Sequence, residues 1–568
     1  MTEDRVQVLI VGGGTVGLAA AVFLSGHHVP TLVVEAQPGP SPHPRATGLS
    51  RRTMEMLRAE GLEDAVDAVS IDMRAGLGKI YARTLAEAEF TATDPAGAAV
   101  ATSRTDDSSP ALVRGLCPQH RLDSVLLPAA RERGAVVRYS TRLESFTQDD
   151  DGVHAALSNG SVVRADYLIG ADGARSDVRG LLDIGVEGPG PLGTPMISML
   201  FRADLTPYIG GRSFATCTIE NPDVSGLLVT VDGTGEWILH VPADDSDGGF
   251  PDARCVGLIR AAIGDPALDV EVISVLPWRP RGQLAERFRS GRVFLVGDAA
   301  HTVPPLGAFG LNTGVADAHN LAWKIAAVHH GWADPGLLDS YEAERRPVAA
   351  TTLEQAVLRL PDPRLHWENT PEIITARRRA GVLNAPVVHV GYRYESTAVI
   401  GSNPRLPSTE DISLVLDGTP GSRLPHRWVP HDGGRASTLD LVGRDLTVLT
   451  ADEDWADAAH TAADALSIPL AVHRIPVTDG DWTDGIGSRP DGVVLVRPDH
   501  VIAWRMIERP LDPRTALIDA LSEILSLDGR AMQPVTGAEW GSARGEDRVS
   551  GVGSDGCGDG GAHDRRRA

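Results

Sequence analysis

The first 35 residues constrain the fold of this chain more than any other segment. An apolar run at 6–11 is followed by a glycine-rich turn and then by small and apolar residues at 16–24. A second apolar run, 30–34, ends next to Glu35. Two short apolar runs separated by a helix-length segment predict a strand, a helix and a second strand of a parallel α/β sheet.

Gly12, Gly14 and Gly17 form a Gly-x-Gly-x-x-Gly pattern in this turn. About one such match is expected by chance in a chain with 61 glycines among 568 residues, and two further copies do occur. Only the N-terminal copy stands between a predicted strand and a predicted helix, with Glu35 at the end of the next strand. This context predicts a dinucleotide-binding turn. The alternative is a glycine-rich turn with a purely structural role.

Each position of the pattern has a physical reason. The first and third glycines permit the tight turn and the close packing of helix on strand, and the second lets the backbone approach a pyrophosphate. The N–H groups at the helix start, at Thr15 and Val16, would face the phosphates. Glu35 would accept hydrogen bonds from the ribose hydroxyls.

Charge and composition exclude several classes of partner. The formal charge is −23 at pH 7, and so acidic a surface repels phosphate backbones and anionic membranes, so we expect no nucleic-acid or membrane partner. The four cysteines include no CxxC pair, and no His, Asp or Glu cluster has metal-ligand spacing, so we expect no metal site. No signal peptide and no apolar run of the roughly 20 residues that a span needs are present, so we expect a cytoplasmic protein.

Two further segments carry glycine and aspartate after predicted strands. The first, 167–179, reads YLIGADGARSDVR, and the second, 297–314, reads GDAAHTVPPLGAFGLNTG. Together with the N-terminal turn, they resemble the three signatures of the class A flavoprotein monooxygenases, the para-hydroxybenzoate hydroxylase family. The resemblance covers roughly residues 1–350, with the motifs in the family's order.

The resemblance implies an α/β fold, in which an FAD-binding Rossmann-like domain (1–184 and 285–400) is interrupted by an inserted β-sheet substrate domain (185–284). A C-terminal α/β unit, 401–533, resembles the thioredoxin-like domain of phenol hydroxylase relatives. It lacks CxxC, which leaves a packing or dimerising role, and a homodimer is one expectation. The tail, 534–568, has almost no apolar content, and we expect it to be disordered.

The segment that begins with Gly297 is interpretable as a flavin site. Asp298 follows a predicted strand, where ligands bind in open α/β sheets, and would accept hydrogen bonds from ribityl hydroxyls. A helix is predicted from about Thr313. The N–H groups of Leu311 and Asn312, next to Gly310, would point at the N1–C2=O edge of the flavin and stabilise negative charge on the reduced ring.

The resemblance also implies roles for single residues. Arg45 resembles the family's flavin-contacting arginine, which could lie over the isoalloxazine or clamp a phosphate. Gln119 matches a glutamine that contacts FAD. The backbone carbonyl of Pro305 would face the substrate. Arg45 and Pro305 are therefore the candidate catalytic residues.

In the family, the motif around Asp172 serves both FAD and the nicotinamide cofactor, and Asp172 would orient the backbone. Arg175 and Arg179 are candidates near the pyrophosphates, with ordinary surface ion pairs as the alternative. His301 could titrate beside a cofactor. A structural histidine that fixes the Asp298 loop is the favoured interpretation.

The chemistry that the resemblance implies has two halves. NADPH or NADH reduces FAD, and reduced FAD takes up O2 to give a flavin C4a-hydroperoxide, which transfers oxygen to an electron-rich ring. Segments 307–313 and 317–324 resemble the aromatic polyketide hydroxylases of the aklavinone hydroxylase kind. The expected activity is therefore hydroxylation of a small-molecule aromatic substrate, a polycyclic phenol or quinone of secondary metabolism.

Two alternatives remain open at this point. The same oxidant could insert oxygen beside a ketone of a related polycyclic compound, which is Baeyer–Villiger chemistry, and no motif separates the two reactions. An alternative of another class is a non-catalytic FAD protein that sequesters such a compound. Oxidation of NAD(P)H, with and without an aromatic ligand, would separate the enzyme from the binding protein.

Overall fold

The strands and helices of the first third of the chain begin with the predicted β-α-β unit. In chain order they are β1 (Glu3–Val11), α1 (Thr15–Gly26), β2 (Thr31–Val34), α2 (Arg51–Ala59), α3 (Glu63–Val69), β3 (Ile71–Asp72), β4 (Leu77–Ala82), β5 (Gly115–Leu116), α4 (Gln119–Glu132), β6 (Val136–Arg138), β7 (Leu143–Asp149), β8 (Gly152–Leu157), β9 (Val162–Gly170) and α5 (Asp177–Leu181).

The middle of the chain is rich in strands and ends in two long helices. Its elements are β10 (Val186–Pro191), β11 (Met196–Arg202), α6 (Thr206–Ile209), β12 (Phe214–Glu220), β13 (Ser225–Thr230), β14 (Glu236–Pro242), α7 (Asp252–Ile263), β15 (Glu271–Trp278), β16 (Arg281–Ala285), β17 (Arg289–Ser290), β18 (Val293–Leu295), β19 (His301–Thr302), α8 (Phe309–His329) and α9 (Ser340–Leu358).

Short helices and a small α/β unit complete the chain. They are α10 (Arg364–Trp367), α11 (Pro371–Ala380), α12 (Ala385–His389), β20 (Trp428–His431), β21 (Gly434–Ser437), β22 (Leu446–Thr450), α13 (Glu453–Leu466), β23 (Leu470–Arg474), α14 (Trp482–Gly485), β24 (Val493–Val496), β25 (Ile502–Met506) and α15 (Pro513–Ile524).

This computed structural model describes residues 3–73, 77–90, 109–111, 113, 115–243, 249–368, 370–407, 414–477 and 482–527. The tail that the sequence predicts to be disordered, 534–568, lies outside the described residues.

The largest sheet carries the nucleotide-binding turn. Its strand order is β17-β18-β9-β1-β2-β6, with β8 and β7 attached beside β9. Strands β18, β9, β1, β2 and β6 run parallel, so their carboxyl ends meet at one edge of the sheet. Helix α1 is buried along almost its whole length because its small residues let it pack closely between the sheet and its helical neighbours α4 and α8.

A six-stranded sheet, here called the substrate sheet, has the order β15-β11-β14-β13-β12-β4. One face packs on α7 through buried residues such as Met199, Leu239 and Ile259. Strand β4 precedes the predicted insertion in sequence and pairs parallel with β12. The predicted boundary at residue 185 did not anticipate this strand, because its only signal is a pairing partner more than a hundred residues away.

The C-terminal unit has a four-stranded sheet of order β23-β22-β24-β25. Strand β22 is parallel to β23 and antiparallel to β24, and α13 packs with α15 against buried residues of this sheet. A β-α-β unit followed by a β-hairpin and a helix is the thioredoxin-like arrangement. The predicted α/β fold class, with its Rossmann-like, inserted-sheet and thioredoxin-like parts, is confirmed.

Buried ion pairs fasten the C-terminal unit to the helices beside the large sheet. Glu344 of α9 accepts hydrogen bonds from Lys324 of α8 at 2.7 Å and from Arg497 at 2.6 and 2.8 Å. All three side chains are 0% exposed. A second set joins Glu55 of α2 to Arg423 of the C-terminal unit, again without exposed side chains. These contacts hold α2 and α9 against the C-terminal unit and join α8 to α9.

Candidate functional site

The three glycines of the N-terminal turn differ in what surrounds them. A Cβ atom on Gly12 would lie 2.3 Å from the carbonyl oxygen of Ala171, and one on Gly17 would lie 1.9 Å from the oxygen of Gly12. A Cβ atom on Gly14 would meet nothing within 4 Å. The backbone of Gly14 is extended, a conformation that residues other than glycine also adopt. Packing therefore requires two of the glycines, and the third faces open space.

The start of α1 is available to an anion. The N–H groups of a first helical turn have no acceptor within the helix. In α1 no side chain caps them and no acidic residue stands in the first turn. The Thr15 hydroxyl donates instead to Asp123 of α4 at 2.5 Å. Val16 packs tightly against Gly314 of α8, where a Cβ would lie 2.7 Å from its side chain. Sequence reasoning missed Asp123. Burial raises the pKa of Asp123 to about 6, although the hydrogen bond from Thr15 acts to lower it.

Glu35 is held rigidly at the end of β2. One carboxylate oxygen accepts from the N–H of Gly13 at 2.7 Å and the other from the N–H of Gln37 at 2.8 Å. Each oxygen retains a further lone pair. Its contact with a ribose stays a prediction.

Asp172 and Arg179 connect two of the sequence motifs. Asp172 accepts from the hydroxyl of Ser176 at 2.5 Å and from the N–H of Val178 at 3.0 Å, and so fixes the start of α5. Burial nevertheless raises the pKa of Asp172. The Arg179 guanidinium donates to the carbonyl of Ala299 at 2.7 Å, which ties α5 to the Asp298 turn. The geometry of Asp172 agrees with a structural role, while Arg175 points to solvent.

Asp298 and Arg45 lie close to each other. Asp298 lies in a short 3-10 turn after β18 and is accessible to solvent. Surrounding protein still raises the pKa of Asp298 by burial, against the opposing influence of His301 and Arg45. A carboxylate that is crowded by protein and yet exposed lies in a concave part of the surface, and we call the concavity beside Asp298 and Arg45 the cleft. Arg45 is exposed and close enough to affect Asp298 electrostatically.

Residues 43–50 form what we call the Arg45 strap, which runs along this cleft. Its Ala46 carbonyl accepts from the backbone N–H of Gln119, the first residue of α4, at 2.8 Å. Its Thr47 carbonyl accepts from the N–H of Cys117 at 2.9 Å. The predicted residues Arg45 and Gln119 therefore lie together, although Gln119 makes this contact through its backbone N–H.

Asn312 ties the strap to the start of α8. Its side-chain oxygen accepts from the N–H of Ser50 at 2.8 Å and from the hydroxyl of Thr53 at 2.7 Å. Its side-chain nitrogen donates to the carbonyls of Gly48 at 3.1 Å and Ala308 at 2.6 Å. This use of the side chain was not expected, because sequence reasoning considered only the backbone N–H of Asn312.

Helix α8 begins at Phe309, four residues before the predicted start. Ala308 takes a left-handed conformation, with φ of 52°, and turns the chain into the helix without a side-chain cap. The N–H groups of Gly310 and Leu311 in the first turn thus have no acceptor within the helix. Pro305 is exposed, and its carbonyl accepts from the N–H of Ala308 at 3.2 Å.

His301 belongs to a buried network behind the cleft. Its Nε2 lies 2.7 Å from Asp317, which also binds the guanidinium of Arg345 at 2.7 Å, and all three side chains are 0% exposed. Asp317 further accepts from the N–H of Gly297 at 3.0 Å. These contacts agree with the structural interpretation of His301. Asp317 was missed because nothing in its local sequence indicates a partner.

The face of the substrate sheet opposite α7 turns toward the Arg45 strap. Leu200, Val229 and Ile238 form an apolar cluster on it. His240 lies on the same face and contacts the ring of Trp278 edge-on, with centroids 5.6 Å apart. Burial, followed by the electrostatic influence of His43, lowers the pKa of His240 to about 4, so the imidazole is neutral at pH 7. Such a face suits an aromatic compound with a few polar groups.

Within the described ranges, no group of three or more His, Cys, Asp or Glu side chains could hold a metal ion. A search of the same residues finds no helix that is long and apolar enough to cross a membrane.

The parallel sheet, the glycine turn and the uncapped start of α1 define an α/β dinucleotide-binding protein. Residues 5–356 match the FAD binding domain family, and residues 417–527 match the C-terminal domain of the aromatic-ring hydroxylases. The chain belongs to the FAD-dependent aromatic-ring hydroxylases, and the resemblance noted from the sequence is confirmed. It is an enzyme, a flavin-dependent monooxygenase, and the alternative of a non-catalytic FAD protein finds no support.

Relatives match over nearly their whole length. Tetracenomycin B2 monooxygenase-dioxygenase of Streptomyces olivaceus is 40% identical, with 93% of this chain and 100% of that protein covered. A 4-methyl-5-nitrocatechol 5-monooxygenase from a Burkholderia species is 38% identical over 92% of this chain and 98% of its own. The structure of aklavinone-11 hydroxylase with FAD and aklavinone superposes with a TM-score of 0.79 at 34% identity, covering 93% and 100% of the two chains.

The residues present fit FAD. Open space beside Gly14 and the uncapped start of α1 suit a pyrophosphate. The crowded but accessible Asp298 suits a polyhydroxyl chain. The uncapped start of α8 suits the electron-rich edge of a flavin ring.

Proposed function

We propose that this monooxygenase uses NADPH or NADH and O2 to hydroxylate a polycyclic aromatic polyketide of the phenol or quinone type. The observation that carries the proposal is the contact of the Arg45 strap with the apolar face of the substrate sheet. The rings of His240 and Trp278 lie on this face beside the apolar cluster. The names of the tetracenomycin and aklavinone enzymes support the polycyclic class. The nitrocatechol enzyme makes a single-ring phenol the second candidate.

The cofactor-binding residues follow from the fit described above. The N–H groups of Gly14, Thr15 and Val16 would hold the pyrophosphate, and Glu35 the ribose. Asp298 would hold the ribityl chain.

The start of α8, at Gly310, Leu311 and Asn312, would face the flavin ring. Arg45 would contact the ring or a phosphate, and Gln119 would support the strap. Asp172 would act through the backbone that it orders.

Bound FAD supplies electron storage and the activation of O2. The chain contributes position and electrostatics. The positive end of α8 would stabilise negative charge on an adjoining flavin ring. The substrate sheet would orient the aromatic compound and exclude water. The carbonyl of the exposed Pro305 would accept from a substrate hydroxyl with the lone pair that its bond to the Ala308 N–H leaves.

The test measures NADPH oxidation by purified yellow protein with a panel of polycyclic and single-ring phenols and quinones, and identifies products by mass. Stimulated oxidation, with a product that gains one oxygen and keeps its aromatic rings, is the expected result. A lactone that gains one oxygen would replace the proposal with Baeyer–Villiger chemistry. Flavin that neither NADPH nor NADH reduces with any ligand would overturn it. A product only from single-ring phenols would select the second candidate.

A further inference from the structure

One buried imidazole joins the Arg45 strap to the substrate sheet. His43 is 5% exposed. Its Nδ1 lies 2.7 Å from the hydroxyl of Ser274 on β15, and its Nε2 lies 2.7 Å from the hydroxyl of Ser198 on β11. These two strands are neighbours in the sheet, so a single side chain grips both of them.

The two hydrogen bonds of His43 run in opposite senses. Burial, followed by the nearby Arg45, lowers the pKa of His43 to about 4, so the ring is neutral at pH 7. A neutral imidazole has one donor and one acceptor nitrogen. One serine must therefore donate to the ring and the other must accept from it, so both ring nitrogens are held.

Ser198 and Ser274 lie on the face that we assign to the substrate. Ser198 pairs across the ladder with His240, and Ser274 pairs with Leu200 of the apolar cluster. The imidazole of His43 is thus seated beside the side chains that would contact an aromatic ligand.

The other end of the strap is anchored independently of the sheet. The carbonyl of Ala46 is held from α4, and Gly48 and Ser50 are held by Asn312 at the start of α8. Arg45 therefore stands between two anchors, with His43 on the substrate side. Its guanidinium is exposed toward the cleft of Asp298.

We propose that His43 is a positioning residue, which holds the substrate sheet in register with Arg45 so that the bound aromatic ring and the flavin site keep one relative placement. The inference rests on the proposed function, because it takes the ligand to lie on this sheet. Oxygen transfer requires placement of the reacting atoms to within about 1 Å, and an error of that size costs on the order of 100-fold. Oxidation of NADPH, although a bound aromatic compound is expected to stimulate it, does not require this placement of the reacting carbon.

Loss of His43 should therefore divert the reaction. The coupled reaction converts NADPH, a proton, O2 and the phenol into NADP+, water and the hydroxylated phenol. The diverted reaction converts NADPH, a proton and O2 into NADP+ and hydrogen peroxide. The ratio of hydroxylated product to NADPH consumed measures the balance between them.

The experiment compares the wild-type holoenzyme with His43→Phe, His43→Gln, Ser198→Ala and Ser274→Ala. We expect His43→Phe to retain FAD and to oxidise NADPH within about threefold of the wild type, while the product-to-NADPH ratio falls about tenfold. His43→Gln, whose amide can both donate and accept, should recover part of the ratio. Each serine variant should lower it less than His43→Phe does.

His154→Phe, at a partly exposed histidine on β8, is the matched control and should keep the wild-type ratio. An unchanged ratio in His43→Phe and in both serine variants, with FAD retained, overturns the inference and leaves the proposed function standing. If His43→Phe fails to fold, the serine variants, which each remove one hydroxyl, decide. Absence of any hydroxylated product from the wild type overturns the proposed function and this inference together.

Discussion

The pKa values of the carboxylates in the cofactor cleft and of those at the C-terminal interface are shifted in opposite directions. Burial raises the pKa values of Asp123, Asp172 and Asp298 in the cleft. At the interface, burial acts the same way, but arginine and lysine neighbours outweigh it and lower the pKa values of Glu55 and Glu344. At the interface, the buried carboxylates already have cationic partners within the chain. The cleft leaves its carboxylates to hydroxyl donors, which a bound dinucleotide carries in its sugar chains.

The largest expected effect is on the interface. Glu344→Ala would leave Lys324 and Arg497 buried without their shared carboxylate, and removing one partner of a buried pair costs about 3–5 kcal/mol. We expect a loss of that size in the free energy of unfolding, measured by urea denaturation.

The control is Glu508→Gln, which breaks the exposed pair with Arg489 and should cost about 1 kcal/mol or less. Equal losses in Glu344→Ala and Glu508→Gln would contradict the view that the interface charges act as a closed set.

Two glycines of one turn should separate stability from cofactor binding. Gly17→Ala places a methyl group 1.9 Å from a backbone oxygen and should cost about 1–3 kcal/mol of stability or more. Gly14→Ala places its methyl group in open space, so the FAD-free protein should keep its melting temperature. Because that space is where we place the pyrophosphate, FAD affinity should fall about tenfold or more.

The measurements are thermal unfolding of the FAD-free proteins and titration of FAD by flavin fluorescence. Wild-type FAD affinity in Gly14→Ala would move the pyrophosphate away from this turn.

The Arg45→Ala variant tests whether the charge of Arg45 serves the reaction or the stability of the fold. Its side chain is exposed, so Arg45→Ala should leave the melting temperature unchanged. A lost hydrogen bond to a charged group, worth about 1.5 kcal/mol, should lower kcat/KM for the aromatic substrate about tenfold. Steady-state NADPH oxidation and product formation measure it, with Arg474→Ala, at an exposed pair with Glu453, as the control. A drop in melting temperature that matches the loss of activity would assign Arg45 to the fold.

What the sequence could predict here depended on local pattern. The β-α-β unit, the glycine turn and the strand before Asp298 are continuous segments, and the structure contains all three. Asp123, Asp317 and His43 were not recognised as functional neighbours, because their partners are set by tertiary packing and not by neighbouring residues. Asp123 meets Thr15 across 108 residues, and His43 meets Ser274 across 231. The early start of α8 was missed for a local reason, since a left-handed Ala308 has no sequence signal.

The smallest expected effect is a change in pH dependence. Asp123 has its pKa raised to about 6 in the folded protein, against about 3.9 when unfolded. The folded state therefore holds the proton more tightly, so this group makes stability fall as pH rises from about 4 to about 6. Glu55 acts in the opposite sense, because its pKa is lowered to about 2 and its contribution is lost as pH falls below about 4.3.

Asp123→Asn should flatten the melting temperature of the FAD-free protein between pH 4 and pH 6 relative to the wild type. The asparagine oxygen still accepts from the Thr15 hydroxyl, so the contact is kept while the titration is removed. Asp445→Asn provides a positive control. Burial also raises the pKa of Asp445, and Asp445 lies outside the cleft. If Asp445→Asn flattens the profile and Asp123→Asn does not, the cleft carboxylate is already paired, and the contrast between cleft and interface fails at this residue.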